Sequence, residues 1–155
     1  MEILRKDDLM IGLLLNALMH QAPHMQITPE ERELYDRLLK DIHSTPSATV
    51  TIHYELPYPK SRFLYYASQS DQYIFHGSNH QAISTFEPKQ QTLYNGQMVQ
   101  AVFATIDPIW PVFYATLDRS KAKGSIRNAC LEHKGNRYHF YSVSQTMNHG
   151  QDIWT

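Results

Sequence analysis

The chain has one cysteine, few charged residues and no long apolar run, and each of these features excludes a class of protein. It has one cysteine, Cys130, among 155 residues, which excludes an internal disulfide and makes a reducing cytoplasm the expected compartment. Charged residues make up 19% of the chain, below the usual value of about a quarter. The net charge is -1, so no basic surface for nucleic acid is expected. The apolar run from Leu9 to Met19 contains Asn16 and is shorter than the roughly 20 residues that span a membrane, so no membrane partner is expected.

The first apolar run predicts a helix. Asp7 and Asp8 stand where a helix start favours acidic residues, and Pro23 ends the pattern. Apolar residues between them cover most of the helical circumference, so this helix needs to be covered on several sides.

A second helix has clearer boundaries. Thr28, followed by Pro29 and Glu31, is typical of a helix that begins with a capping box. Apolar residues then recur at helical spacing until Ser44-Thr45-Pro46 ends the pattern. We predict that residues 1–46 form a helical hairpin and a first domain.

The remaining residues, 47–155, are predicted to form a second domain, of α+β class. A helix is predicted over residues 110–117, with Asp107 as its cap and Pro108 following it. Residues 81–94 and 121–134 show no clear period and are interpreted as loops or irregular chain. Strands are predicted at residues 50–56, 62–67, 72–76, 99–105 and 137–144.

The sequence gives only weak support for two other reactive sites, a metal site and a reactive thiol. His76 and His80 are four residues apart, but Gly77 and Ser78 between them argue against a helix, so no metal site is expected. Cys130 has no activating partner nearby in the sequence, and a buried, inert thiol is the expected state.

The strongest functional signal is Phe75-His76-Gly77-Ser78. An apolar strand pattern ends there in a histidine, a glycine and a serine. Glycine allows a sharp turn and close approach of a ligand, while His76 and Ser78 offer hydrogen-bonding groups. The alternative interpretation is an ordinary turn, because Gly-Ser-Asn is common turn chemistry.

A second segment adds a candidate groove. The stretch Val102-Phe103-Ala104 leads through Asp107 into the predicted helix that carries Phe113 and Tyr114. The aromatic side chains of that helix could face a groove beside the strand, although plain core packing would give the same pattern.

In this order, the two segments resemble motifs of the ADP-ribosyltransferase superfamily. Its members carry a first strand that ends in His-Gly-Ser or His-Gly-Thr, and a second strand of the Tyr-Phe-Ala type that leads into a helix. The resemblance covers roughly residues 72–144. It implies a mainly antiparallel, split β-sheet that binds the nucleotide NAD as substrate and transfers ADP-ribose to an acceptor.

The resemblance also implies roles for particular residues. His76 would hydrogen-bond a ribose hydroxyl of NAD, with Ser78 next to the same ribose. The backbone of Gly77 would pair with the nicotinamide carboxamide, and Phe113 or Tyr114 would stack on the nicotinamide ring.

The chain departs from the family pattern at two positions. Val102 stands where many members have a tyrosine. The catalytic carboxylate has no good match; Asp152, close to Trp154 at the end of the sequence, is the candidate. We therefore expect a truncated family member, or one whose site has decayed and binds NAD with impaired activity.

A different class of function stays open. A non-catalytic interaction protein would use the apolar helices of residues 9–42 to bind a partner or a second copy of the chain. The segment around His76 would then be a turn.

Overall fold

The computed structural model describes residues 6–47, 49–80, 83–93, 95–118, 121 and 124–144. It confirms the predicted α+β class. The helices of the described residues are α1 (Lys6–Leu18), α2 (Pro29–Ser44), α3 (Lys60–Ala67) and α4 (Trp110–Thr116). The strands are β1 (His20–Gln21), β2 (Lys89–Thr92), β3 (Met98–Ala101), β4 (Ile126–His133) and β5 (Asn136–Val143), and their pairings are antiparallel.

The chain divides into two compact units. The terminal unit comprises Met1–His24 and Thr116–Thr155, and the central unit comprises Met25–Ala115. These bounds differ from the predicted boundary between residues 46 and 47. Since α1 belongs to the terminal unit and α2 to the central unit, the predicted helical hairpin stays a prediction.

The capping box of α2 is confirmed. The Glu31 backbone N–H donates to Thr28 Oγ1 at 3.2 Å, and the Thr28 backbone N–H donates to Glu31 Oε2 at 2.9 Å. Each residue thus satisfies a backbone donor that the first turn of a helix would otherwise leave unpaired.

The same glutamate joins α2 to α3. Arg62 binds both carboxylate oxygens of Glu31, with 2.7 Å between Nη2 and Oε2, and Arg62 Nη2 also donates to the Gln26 carbonyl at 2.6 Å. The Glu31 side chain is 1% exposed. Hydrogen bonding to the guanidinium holds the pKa of Glu31 at about 2, below its ordinary value of 4.5.

Aromatic rings pack around this ion pair. Tyr35 is fully buried and donates its hydroxyl to Glu31 Oε1 at 3.3 Å. Its ring lies 5.6 Å from that of Phe63 and 5.4 Å from that of Tyr66, between ring centroids. Burial raises the pKa of Tyr35 above its ordinary range. The helices α2 and α3 therefore enclose one aromatic cluster with a charged centre.

The strand predicted over residues 62–67 is wrong, because these residues belong to α3. The aromatic run favoured a strand locally. In the structure, Phe63 and Ala67 lie four residues apart on one helical face, and both are buried. Packing against Tyr35 and the Arg62–Glu31 contact override the local preference.

The strand predicted over residues 50–56 is also wrong. The described part of this segment is irregular chain without ladder pairing. Part of the alternation that suggested a strand corresponds to packing, since Tyr54 donates to the Tyr58 carbonyl at 2.9 Å and its ring lies 5.9 Å from that of Phe63, whereas Ile52 is 43% exposed. Partial burial at alternate positions gives a strand-like pattern even where no second strand pairs with the segment.

The strands β2 and β3 and the bridge that follows them correct three further predictions. The register of β2 and β3 runs from Lys89 opposite Ala101 to Thr92 opposite Met98. Residues 81–94, interpreted as a loop, therefore contain β2. The strand predicted over residues 99–105 ends at Ala101, and beyond it Thr105 forms an isolated bridge to Phe75. The strand predicted over residues 72–76 is reduced to that bridge.

The terminal unit contains a three-stranded sheet in the order β1-β5-β4. Strand β5 confirms the strand predicted at residues 137–144, but β4 lies in a stretch interpreted as irregular. A two-residue turn joins the two strands. Its residues, Lys134 and Gly135, have φ of 51° and 72°, as expected for a tight hairpin turn. Cys130 lies on β4 and is exposed, so the prediction of a buried thiol is wrong.

Helix α1 lies against this sheet through a narrow face. A Cβ at Gly12 would lie 4.0 Å from His133 Nε2, and Asp8 Oδ2 lies 3.5 Å from Lys134 Nζ. The half-buried positions recur at helical spacing and are Asp8, Gly12, Leu15 and Met19.

The Glu31–Arg62 pair predicts a specific acid dependence of stability. Because folding lowers the pKa of Glu31 from 4.5 to about 2, its contribution is complete above pH 4.5 and disappears as the pH falls towards 2. The variant Glu31→Gln should therefore be less stable than wild type at pH 6. Its free energy of unfolding should also fall less steeply between pH 4.5 and 2. Urea unfolding followed by far-UV circular dichroism measures both effects.

A matched control lies two residues along the same helix. Glu33 is 74% exposed in its side chain and pairs with Arg37 at 3.5 Å, so Glu33→Gln should leave the acid slope close to that of wild type. An equally steep slope in Glu31→Gln and wild type would contradict the assignment.

Candidate functional site

The segment that carries the predicted motif is held at two points. The Tyr73 hydroxyl lies 2.9 Å from Nε2 of His43, in the last turn of α2, and the two rings are stacked. Phe75 and Thr105 exchange backbone hydrogen bonds of 2.7 and 3.0 Å. The second contact places the His-Gly-Ser motif beside the segment that follows β3.

His76 is fixed in one tautomer. Its Nδ1–H donates to the Phe103 carbonyl at 2.7 Å. Since a carbonyl only accepts, Nδ1 carries the proton and Nε2 of the neutral ring is an acceptor. The ring of Phe86 packs edge-on against the imidazole with 5.2 Å between centroids. The exposed His76 thus offers one oriented acceptor nitrogen.

Gly77 is required by helix packing. A Cβ at this position would lie 1.9 Å from the carbonyl oxygen of Pro111 and 2.7 Å from its carbonyl carbon. Both atoms belong to the backbone of α4, which cannot move away as a flexible side chain could. The sequence interpretation gave this space to a ligand, whereas the structure fills it with α4. A ligand would reach Gly77 through its backbone N–H and C=O.

Ser78 forms a local turn. Its Oγ accepts a hydrogen bond from the His80 backbone N–H at 3.1 Å, which is ordinary serine turn chemistry. Residues 76–80 are not helical, so His76 and His80 do not have the one-face spacing of a helical metal site.

The predicted start of α4 is confirmed. Asp107 Oδ1 accepts from the backbone N–H groups of Ile109 at 2.7 Å and of Trp110 at 3.1 Å. The Asp107 N–H in turn donates to Thr105 Oγ1 at 3.0 Å. Through Thr105, the cap of α4 is connected to the residue that bridges to Phe75, so one short chain of contacts positions the motif and the helix.

The two aromatic residues predicted to stack on a ligand differ in exposure. Phe113 is 9% exposed and belongs to the core, whereas Tyr114 is half-buried. Their rings make an edge contact with 5.2 Å between centroids. Tyr114 is therefore the better placed of the two to reach a ligand.

The sequence interpretation missed Phe86. This residue is 59% exposed and touches His76, but it lies in a stretch with no clear period, so no local pattern marked it. Exposed apolar side chains accompany it on the segments around His76. They are Ile74, Phe86, Phe103 and Ile106.

The predicted catalytic residue, Asp152, lies outside the described residues. A hollow of about 410 Å³ opens on the β2–β3 hairpin. It is lined by Gln90, Met98, Val99 and Gln100, and these residues differ from those predicted to bind a nucleotide.

Comparisons of the chain with protein-family models, curated proteins and solved structures give no match. Within the described ranges, no helix is both long and apolar enough to cross a membrane. The candidate site is therefore interpreted from its own geometry.

The contact at Gly77 predicts a large effect of a small substitution. In Gly77→Ala, the new methyl group would overlap the Pro111 backbone, and the free energy of unfolding should fall by about 2 kcal/mol or more. Urea unfolding followed by far-UV circular dichroism measures the loss.

The control is Gly12→Ala, where the new Cβ meets its nearest neighbour at 4.0 Å inside a helix. That change should be neutral or stabilise by up to about 1 kcal/mol. Equal stability of Gly77→Ala and wild type would show that the backbone of α4 does not constrain residue 77.

Proposed function

We propose that the central unit binds NAD in the manner of the ADP-ribosyltransferase superfamily, which its motifs resemble. The observation that carries the proposal is the antiparallel bridge between Phe75 and Thr105. It supports the proposal because two motifs that share one ligand must lie side by side. The finer fold proposal, a mainly antiparallel and split sheet of that type, draws support from the antiparallel pairing in two separate sheets.

The orientation of His76 gives the proposal a specific contact. With Nδ1–H committed to the Phe103 carbonyl, Nε2 would accept a hydrogen bond from a ribose hydroxyl of NAD. The backbone of Gly77 would pair with the nicotinamide carboxamide, and Ser78 would lie next to the ribose.

Aromatic surface for the nicotinamide ring would come from Tyr114, because Phe113 is buried in the core. Phe86 packs edge-on against the imidazole of His76 and would hold that ring beside the ribose. Val102, which replaces the tyrosine of many superfamily members, is 39% exposed and would supply only aliphatic contact.

Transfer of ADP-ribose would need more than binding. The bond between nicotinamide and ribose breaks through a cation-like state, which a carboxylate beside the ribose stabilises. Asp152 is the residue proposed for this role. The proposal for the described residues is therefore NAD binding, with transfer to an unknown acceptor depending on Asp152.

NAD should stabilise the protein, and His76→Ala should abolish that effect. A ligand at 100 times its dissociation constant adds about 2.7 kcal/mol to the free energy of unfolding. We expect millimolar NAD to raise the thermal midpoint of wild type and to leave that of His76→Ala unchanged, as measured by scanning fluorimetry.

The control for this experiment is His80→Ala. His80 is an exposed histidine four residues away, and its contact with Ser78 is made by the backbone, which the substitution keeps. The variant should retain the response to NAD. A folded wild-type protein whose midpoint does not move in millimolar NAD would refute the proposal.

Helix α1 favours a second candidate function, self-association. One side of α1 lies against its sheet, but most of the remaining surface of the helix is apolar and open to solvent. Its residues Leu9, Met10, Leu13, Leu14 and Leu18 are each between 53% and 69% exposed. Monomeric proteins seldom leave so continuous an apolar surface uncovered. This apolar surface carries no charge, so a second copy of the same helix would complement it.

Leu14→Lys tests this candidate. A charge in the centre of the apolar surface should lower the average mass of the protein in light scattering at tens of micromolar, because a desolvated lysine opposes helix pairing. Asn16→Lys places the same charge on a position of α1 that is already polar, and it should leave the mass unchanged. A monomeric wild type would exclude self-association through α1.

A further inference from the structure

The turn between β2 and β3 carries an Asn-Gly pair. Thr92 is the last paired residue of β2 and Met98 is the first of β3, so Asn95 and Gly96 lie in the connection between the strands. Gly96 has a φ of 83°, a backbone conformation that glycine adopts without steric cost. Both Asn95 and Gly96 are exposed. The pair therefore lies in a turn that water reaches.

The side-chain amide of Asn95 is folded back over the backbone that follows it. Its Oδ1 accepts a hydrogen bond of 3.0 Å from the Gln97 N–H, a local contact by which asparagine stabilises turns. Because the donor is two residues further along, this contact holds the amide over the peptide that joins Asn95 to Gly96. The hydrogen bond also polarises the carbonyl and makes its carbon, Cγ, more open to attack by a nucleophile.

The backbone nitrogen of Gly96 is the nucleophile within reach. Glycine has no side chain to obstruct ring closure, and a Cβ built at Gly96 would meet no described atom within 4 Å. One contact opposes the attack, since the Gly96 N–H donates to the Leu93 carbonyl at 2.9 Å and must first be released. A two-stranded ribbon is only marginally stable, so this hydrogen bond opens in local fluctuations of the folded protein.

We propose that Asn95 is a site of spontaneous deamidation, with water as the co-reactant. The Gly96 nitrogen forms a bond to Cγ of Asn95, and the bond from Cγ to the side-chain nitrogen breaks. That nitrogen leaves as ammonia and takes up the proton that Gly96 releases. The product is a five-membered succinimide ring, which water then opens. Addition of water to the Cγ carbonyl gives aspartate, and addition to the main-chain carbonyl gives isoaspartate. One water is consumed for each ammonia lost.

The reaction changes the backbone of the turn as well as the side chain. In the succinimide the Gly96 nitrogen carries no hydrogen, so its hydrogen bond to the Leu93 carbonyl is lost. In isoaspartate the main chain contains an additional carbon between the two residues. Turn length fixes the register of a hairpin, so the longer turn disturbs the pairing of β2 with β3. Deamidation therefore loosens the hairpin on which the hollow lies.

The first test compares asparagines within the folded full-length protein. The protein is incubated at mildly alkaline pH, and its peptides are mapped by mass spectrometry, in which deamidation adds about 1 Da because an amide becomes an acid. Asn95 should convert several-fold faster than Asn79, which is also exposed but precedes the bulkier His80. Asn16, in α1, and Asn128, in β4, should convert most slowly of these. Absence of conversion at Asn95, or conversion of Asn79 at the same rate, would overturn the proposal.

Gly96→Ala tests the part played by glycine. The added methyl group obstructs ring closure, so Asn95 should convert several-fold more slowly. Gly135→Ala is the matched control, because Gly135 also has a positive φ, of 72°, and a Cβ there would also meet no described atom within 4 Å. It introduces the same backbone strain into the other hairpin turn and should leave the rate at Asn95 unchanged.

Both glycine variants are checked for folding by far-UV circular dichroism. A folded Gly96→Ala protein that loses ammonia from Asn95 at the wild-type rate would contradict the mechanism. If Gly96→Ala does not fold, the comparison of Asn95 with Asn79 in wild type decides the question.

Hydrogen exchange measures the effect on the hairpin. After incubation, amides of residues 89–101 should exchange faster than in fresh protein, whereas those of residues 126–143, in the other hairpin, should keep their rates. Asn95→Gln carries a longer amide that closes the ring poorly, so its hairpin should exchange at the same rate before and after incubation. Unchanged exchange in wild type that has converted at Asn95 would show that the modification does not loosen the hairpin.

Discussion

The buried ion pair between Glu31 and Arg62 is the interaction on which the central unit depends. One carboxylate completes the capping box of α2, accepts from Tyr35, and binds the guanidinium that α3 brings from elsewhere in the chain. A charge with almost no solvent contact is stable only when its hydrogen bonds are satisfied, and here several partners provide them. The aromatic cluster can close over the pair because no polar atom of the carboxylate is left without a partner. The same carboxylate therefore stabilises the start of α2 and fixes how α2 packs against α3.

Sequence patterns predicted the helix starts and failed on several strands, for a common physical reason. The caps at Thr28 and Asp107 rest on contacts within a few residues, so the local sequence contains all the partners. Pairing between strands depends on distant residues. The segment around Tyr54 alternates like a strand, but it packs on α3 instead of pairing. Strand β4 has a weak pattern of its own and becomes recognisable only once the Lys134-Gly135 turn places it opposite β5.

In the candidate site, too, local features were predictable from the sequence, whereas contacts between distant segments were not. The order of the two motifs along the chain was visible in the sequence, and their contact through Phe75 and Thr105 is compatible with the role proposed for them. The sequence could not reveal that Pro111 fills the space beside Gly77, that Phe113 is buried, or that Phe86 touches His76. Each of these facts depends on how α4 and a non-periodic stretch pack.

The tight turn at Lys134-Gly135 has a consequence for the order in which the chain assembles. Hairpins whose strands are adjacent in sequence close within microseconds, whereas contacts between distant segments form more slowly because a long loop must first be closed. Strand β1 is separated from β5 by most of the chain, yet β4 and β5 are joined by two residues. We therefore expect β4 and β5 to pair early, before β1 joins the sheet. The open edge of β5 would then be the template on which His20 and Gln21 dock last.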